Sequence, residues 1–342
     1  MIRLLYRLLT DGPLLPVPEF DADQAVLDRS LARARRDVRR GDWTAARAVI
    51  DEAGDDWELR GRRIGSLSGL AAGDRGWLDS WLAAAPEDPI AVQMLAATLS
   101  DQAGRARGSA TADKTSPQQA HGFHTLSAAA AEACHRAMEL AGPADPNPWS
   151  ERLGTMFTGV GPEEFDEIFD EGRRRDPFHF DLHSYAVTWR CEKWFGSHES
   201  MFTTAREVAA AAPAGASVVL LPLFAHYEYA LSGFTWGADN TDKALAESRR
   251  WFRGPEVQQE IDSLIAKWRA GTPHPATAQM LRQWVALFYS LAGRRKETRA
   301  VFEELGPYVI PHHAWGYLYG GGEYGYLRSW FWASGLKHRS RR

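Results

Sequence analysis

Apolar residues recur along most of the chain at the three- and four-residue spacing of amphipathic helices, in segments separated by Gly, Asp and Pro. From Asp23 this spacing predicts a helix that ends at Gly41-Asp42, and Trp43 opens a second helix. The same order returns at 73–76, where a Gly/Asp break precedes Trp77. Trp43 and Trp77 are 34 positions apart, the period of a helix-turn-helix repeat, so the pattern predicts an all-α repeat fold.

Three Asp-Pro pairs mark further helix starts: Asp88-Pro89, Asp145-Pro146 and Asp176-Pro177. An aspartate there caps the helix, and proline fits the first turn because its missing N–H has no partner there anyway. With the Trp spacing, these openings make the chain resemble the tetratricopeptide-repeat-like superfamily over about residues 23–305, with no functional subfamily indicated. The resemblance implies a right-handed solenoid of about six or seven helix pairs, in which the first helices line a concave groove.

The remaining segments depart from the repeat pattern. Residues 1–22 contain Pro13, Pro16 and Pro18, which predict an extended lead-in. The first part of residues 104–122 shows no apolar periodicity, which predicts a loop insertion within the array. Residues 306–342 are rich in glycine and aromatic residues and end in a basic tail, so we expect a C-terminal extension that caps the last repeat.

The composition of the chain argues against several classes of partner and site. A formal net charge of −4 provides no general attraction for nucleic acid or an anionic membrane, so neither is expected as the main partner. No stretch approaches 18 uncharged apolar residues, which argues against a spanning helix and favours the cytoplasm. The 2 cysteines, Cys134 and Cys191, suit neither a disulfide framework nor a thiolate zinc site. The abundance of Ala and of Arg over Lys suggests a bacterial source.

The stretch that follows Asp176-Pro177 combines regular spacing with unusual polar residues. A helix starting at Pro177 places a stripe of apolar side chains in the core: Phe178, Leu182, Tyr185 and Trp189. The adjacent face carries His179, His183 and Arg190, which we expect in the groove together with His226. Arg190 there can clamp a carboxylate or phosphate, although an ordinary ion pair fits it equally well.

A metal site is another interpretation of these residues. Histidines at i and i+4, His179 and His183, can chelate one metal, and the site would be completed by His198 with Glu199 or by His226 with Glu228. The residue after His179 is Phe180, so the glutamate that serves as general base in metalloproteases is missing. No cofactor-binding motif is present, because the glycine-rich stretches follow no predicted strand and lack the Lys-Ser/Thr of a phosphate loop.

The sequence therefore predicts a scaffold that binds a protein or peptide in the concave groove, with His179, His183, Arg190, His198, Glu199, His226 and Glu228 as ligand-binding candidates. The alternative is an enzyme acting on a small molecule or depending on a metal, with its active site in the groove around His179, His183 and Arg190. The absence of a catalytic motif favours the binding scaffold over the enzyme.

Overall fold

The computed structural model describes residues 14–20, 28–108, 115–309 and 313–335. These residues form 17 α-helices, and their only β pairing is an isolated bridge between Glu19 and Tyr308. The predicted all-α class is thus confirmed for the described part of the chain. The described residues form two compact units, Asp28–Ala186 in the first and the residues from Val187 onward, with segment 14–20, in the second.

The first unit contains helices that pack mainly against their chain neighbours, an arrangement compatible with a helical solenoid. Its helices are α1 (Arg29–Val38), α2 (Trp43–Asp51), α3 (Trp57–Ala71), α4 (Gly76–Ala84), α5 (Pro89–Arg107), α6 (Pro117–Leu140), α7 (Asn147–Met156), α8 (Phe165–Arg175) and the start of α9 (Phe180–Trp189). The chain passes into the second unit within α9.

The recurring tryptophans of the sequence meet in the core of the first unit. Trp43 stacks on Trp81 with ring centroids 5.5 Å apart, and Trp77 is buried in the same cluster. The Trp81 indole N–H donates to Asp88 Oδ2 at 2.9 Å, while Asp88 Oδ1 accepts from the backbone N–H of Ile90 at 3.0 Å. Asp88 therefore caps α5 as predicted, and it also ties that cap to the tryptophan core.

The second unit contains α10 (His198–Ala211), α11 (Leu221–Ala230), α12 (Thr241–Phe252), α13 (Pro255–Ala270), α14 (Pro275–Ala292), α15 (Arg295–Leu305), α16 (His313–Tyr319) and α17 (Gly322–Ala333). Here too neighbours in the chain pack together, such as α14 with α15 and α16 with α17. The glycine-rich and aromatic C-terminal segment thus forms two helices, and α17 packs on α14 and α15. The extended segment 14–20 joins this unit where the Trp330 indole N–H donates to the carbonyl of Pro16 at 3.0 Å.

The predicted loop insertion at 104–122 differs from the structure. Helix α5 continues to Arg107 and α6 begins at Pro117, so helix covers both ends of the predicted loop 104–122. Ser116 and Gln119 form a reciprocal capping box that starts α6, a signal that the weak apolar periodicity concealed. Residues 109–114, the start and end of the predicted lead-in (1–13 and 21–22) and the basic tail 337–342 lie outside the described residues.

Candidate functional site

The two histidines that the sequence predicts for the groove are buried in the first unit. His179 is 1% exposed and His183 is 7% exposed. Helix α9 begins at Phe180, not at Pro177, after the Asp176 carboxylate accepts from the backbone N–H of Phe178 at 3.0 Å. In the apolar stripe predicted for the core, Leu182 and Trp189 are buried, and Phe178 and Tyr185 are half-buried. His183 and Ala186 lie on the buried face of α9, and His179 is buried just before the helix, so the two histidines are not open to a groove.

Burial keeps both imidazoles neutral. Desolvation, with the nearby charge of His183, lowers the pKa of His179 from 6.5 to about 3. Desolvation likewise lowers the pKa of His183 to about 4, although its Nε2 donates to the carbonyl of Pro177 at 2.8 Å. Because this bond occupies Nε2, and the ring lies edge-on against Phe169 at 5.3 Å, His183 holds the start of α9 in place.

The other five candidates lie in the second unit, in three separate settings. Arg190 is half-buried, and its carbonyl accepts from the hydroxyl of Ser200 at 2.9 Å. His198 Nε2 lies 2.9 Å from a carboxylate oxygen of Glu192, and Glu199 is exposed in the first turn of α10. These residues occupy the surface loop and the helix start that follow α9.

His226 and Glu228 are buried on α11, each with its own partner. His226 Nδ1 accepts from the Trp251 indole N–H at 3.1 Å, and its Nε2 lies 3.2 Å from a carboxylate oxygen of Glu260. An acceptor at Nδ1 requires the neutral ring, in agreement with the pKa of His226, which burial lowers. Glu228 accepts from the Lys193 ammonium at 2.5 Å.

No group of three or more His, Cys, Asp or Glu side chains in the described ranges could hold a metal ion. His179 and His183 lie in the first unit, and His198, Glu199, His226 and Glu228 in the second. The Nε2 atom of His183 is already used by a backbone carbonyl.

A different set of polar residues converges within the first unit. Asp101 on α5, Glu151 on α7 and Asp181 on α9 are half-buried or exposed, and all three act electrostatically on the phenol of Tyr185. Asp181 is exposed to solvent, yet desolvation raises its pKa. Asp181 therefore faces water and is also surrounded by protein groups that disfavour its charge. We call the surface formed by Asp101, Glu151, Asp181 and Tyr185 the acidic groove.

The carboxylates of the acidic groove are held on neighbouring hydroxyls. The Ser100 hydroxyl donates to Glu151 Oε1 at 2.8 Å, and the Ser68 hydroxyl donates to Asp101 Oδ2 at 2.9 Å. Both serines lie on first helices of their pairs, α5 and α3, so the groove is built by helices that alternate with α4, α6 and α8. This alternation is the one that a helix-turn-helix array produces.

The proximity of the carboxylates makes their ionisation interdependent. Burial raises the pKa of Glu151 from 4.5 to about 7, and the charges of Asp101 and Asp181 contribute to this rise against the opposing hydrogen bond from Ser100. Burial also raises the pKa of Asp101, which Ser68 and Arg105 counteract. Glu151 therefore gains or loses its proton near neutral pH, and the groove becomes more negative as the pH rises through this range.

A ring and a cation complete the acidic groove. The Tyr185 ring packs on Phe157 with centroids 5.9 Å apart and covers Gly154, where an added Cβ would lie 3.1 Å from the phenol oxygen. Arg62 on α3 attracts Asp181 electrostatically, and its buried Nε has no hydrogen-bond acceptor among the described residues. The groove thus presents carboxylates and an aromatic surface to a bound chain, and Arg62 balances part of the charge of Asp181.

The acidic groove was not predicted from the sequence because the predicted site was centred on His179 and His183. The available signal was the pair Asp181 and Tyr185, at i and i+4 on the face of α9 opposite His179 and His183. Tyr185 was expected in the core because of its apolar ring. Asp101 and Glu151 carry no motif, and only the fold brings them near Asp181.

Comparison of the chain with family models, with curated proteins and with solved structures gives no match. Among the described helices, none is long and apolar enough to cross a membrane.

Proposed function

We propose that the chain is a right-handed, tetratricopeptide-repeat-like solenoid whose acidic groove binds a protein or peptide segment carrying a lysine or arginine. The observation that carries the proposal is the convergence of Asp101, Glu151 and Asp181, from three helices, around the ring of Tyr185, with all four residues at least partly open to solvent. A cation bound there is attracted by all three carboxylates, and its methylene stem can lie on the ring.

A cationic ligand would also relieve the mutual repulsion of the carboxylates. Desolvation and the two neighbouring charges oppose the ionisation of Glu151, and a bound ammonium or guanidinium group offsets both. Binding therefore lowers the pKa of Glu151, and by linkage the affinity for a cation rises with pH through neutrality. This coupling distinguishes the acidic groove from ordinary surface carboxylates, which stay ionised over that range.

The test uses two fluorescein-labelled probe peptides, one of alternating Lys and Ala and one of alternating Glu and Ala. Their affinity for the chain is measured by fluorescence anisotropy at about 0.15 M salt, where long-range attraction is screened. We expect the lysine peptide to bind and the glutamate peptide not to bind. The affinity for the lysine peptide should rise several-fold from about pH 6 to about pH 8, as Glu151 ionises.

Two triple variants separate the groove from general charge. Asp101→Asn with Glu151→Gln and Asp181→Asn should weaken binding of the lysine peptide at least about tenfold, since each charged hydrogen bond contributes about 1.5–3 kcal/mol. The control carries the same charge change on exposed residues of the same unit: Asp55→Asn, Asp74→Asn and Glu132→Gln. Equal weakening of lysine-peptide binding by both triple variants would refute the proposed binding in the acidic groove.

The pKa of Glu151 is the observation that favours the alternative, an enzyme, because a carboxyl that titrates near pH 7 suits general acid or base catalysis. The check is to incubate a small-molecule extract with the wild type and with Glu151→Gln and to follow its components by mass spectrometry. An enzyme would deplete a compound that the variant leaves intact. Identical profiles would remove the alternative.

A further inference from the structure

A second concave site lies within the second unit, between α12, α14, α15 and α17. It is a cavity of about 600 Å³ whose lining includes four arginines and two aromatic rings: Arg249, Arg253, Arg295, Arg328, Tyr319 and Trp332. This volume is within the range of small-molecule pockets. None of the described residues that line it is acidic.

The four guanidinium groups differ in how they are held. Arg295 Nε donates to the carbonyl of Trp332 at 3.1 Å, and Arg328 Nη1 donates to the Tyr324 hydroxyl at 3.3 Å. Arg249 and Arg253 form no ion pair with any described residue. Four positive charges around one cavity repel each other, so the cavity is electrostatically prepared for an anion.

The local backbone makes room for one of these groups. Gly293 ends α14 with φ +79°, the left-handed conformation that glycine adopts without strain. A Cβ at this position would lie 3.3 Å from Arg253 Nη2, so a side chain here would crowd the guanidinium as well as strain the backbone. On the cavity floor the Ser290 hydroxyl donates to Ser329 Oγ at 2.8 Å, which adds hydroxyl groups beside the arginines.

One of the two aromatic rings, that of Trp332, offers a surface for a flat group. Tyr319 is 4% exposed, and Trp332 is 38% exposed, so the indole is open to a ligand in the cavity. A smaller depression of about 320 Å³ shares Tyr319 and Arg328 with the cavity and is lined on its far side by Asp239 and Asp242. Among the described residues that line the two cavities, the carboxylates thus belong to the smaller depression and the four arginines to the larger cavity.

We propose that this arginine cavity binds a nucleoside polyphosphate. The guanidinium groups of Arg249, Arg253, Arg295 and Arg328 bind the phosphates, because their paired N–H donors match phosphate oxygens. The Trp332 indole stacks on the base. The cavity lies in a different unit from the acidic groove and attracts the opposite charge. This inference therefore goes beyond the proposed function and is tested independently of it.

Isothermal titration calorimetry of the full chain with ATP, tripolyphosphate and adenosine tests the two parts of the proposal. At about 0.15 M salt we expect ATP to bind with a dissociation constant below about 100 µM. Tripolyphosphate should bind more weakly than ATP because it lacks a ring, and adenosine should bind weakest because it lacks charge. Trp332→Leu should reduce the difference between ATP and tripolyphosphate.

The decisive variant is Arg249→Gln with Arg253→Gln, which removes the two guanidinium groups without an ion pair. We expect a loss of ATP affinity of about tenfold for each. The matched control, Arg250→Gln with Lys296→Gln, removes the same charge from exposed positions on α12 and α15 and should leave binding unchanged. Circular dichroism checks that both variants are folded.

Three results would overturn the proposal. The first is an absence of heat with ATP up to about 1 mM, and the second is an equal loss of affinity in the cavity variant and the control. The third is equal binding of ATP and tripolyphosphate, which would leave phosphate recognition without a nucleoside. A tighter complex with ATP that Arg249→Gln and Arg253→Gln abolish supports it.

Discussion

Glu151→Gln tests whether the acidic groove imposes a stability penalty at neutral pH. The glutamine keeps the shape of the side chain and an oxygen that accepts from the Ser100 hydroxyl, but it removes the ionisable group. Burial and the charges of Asp101 and Asp181 raise the pKa of Glu151 from 4.5 to about 7. Its ionised form is therefore less stable in the folded protein than in the unfolded chain.

The sign of the effect follows from proton linkage. Below about pH 4.5 the group is protonated in both states and has no effect. As the pH rises toward 7, the unfolded chain releases this proton while the folded protein keeps it, so stability falls until the pH exceeds about 7. The full shift corresponds to at most about 3 kcal/mol, which solvent around this half-buried side chain reduces.

The direct assay is carbon NMR of a sample labelled at glutamate side-chain carboxyls. One titrating signal should have a pKa of about 7, and it should be missing in Glu151→Gln. Asp101→Asn or Asp181→Asn should move that pKa downward, because each removes a neighbouring negative charge. A Glu151 signal with a midpoint near 4.5 would refute the reasoning.

Thermal melting provides the stability readout. Glu151→Gln should be more stable than the wild type at about pH 8, and the advantage should shrink by about 2 kcal/mol at about pH 5.5. Glu132→Gln, an exposed position in the same unit, serves as the control and should show no such change with pH. The variant should also bind the lysine peptide more weakly, so the same carboxylate would lower stability and support function.

The other two predictions concern the helices behind the acidic groove. The pKa of His183 is about 4 in the folded protein and 6.5 when unperturbed, so the wild type should lose stability as the pH falls from about 6.5. Relative to His183→Gln this loss should reach about 2 kcal/mol at about pH 4.5, measured by thermal melting, and parallel pH curves would contradict it. Gly172→Ala places a Cβ 2.6 Å from Leu182 Cδ2 and should destabilise the first unit by about 1–3 kcal/mol. Gly65→Ala, with no atom within 4 Å of the added Cβ, should instead raise the melting temperature, and similar melting of the two variants would refute the clash.

Helix starts were predictable because their signals are local. The Asp88-Pro89 pair predicts the start of α5, and Asp145 likewise accepts from the backbone N–H of Asn147 at 2.9 Å. Capping depends on residues within one turn of each other, so a single sequence contains the information.

The face of α9 was not predictable in this way. The residues of α9 keep their relative angular positions wherever the helix begins, so Leu182 and Trp189 are buried as predicted, and the adjacent His183 and Ala186 are buried as well. His179 is buried just before the helix, and Asp181 and Tyr185 line the acidic groove. Apolar spacing alone did not decide how wide the buried face is, since Tyr185 has an apolar ring and each histidine can be satisfied inside or outside the core.

The sequence by itself determined the all-helical class and many of the helix boundaries, because apolar periodicity and caps act over a few residues. Only the tertiary structure decided which side chains meet. Asp101, Glu151 and Asp181 are distant in sequence, as are Arg249, Arg295 and Arg328, and packing of separate helices brings each set around one concavity. The protonation of Glu151 was also decided there, since desolvation and neighbouring charge exist only once the chain has folded.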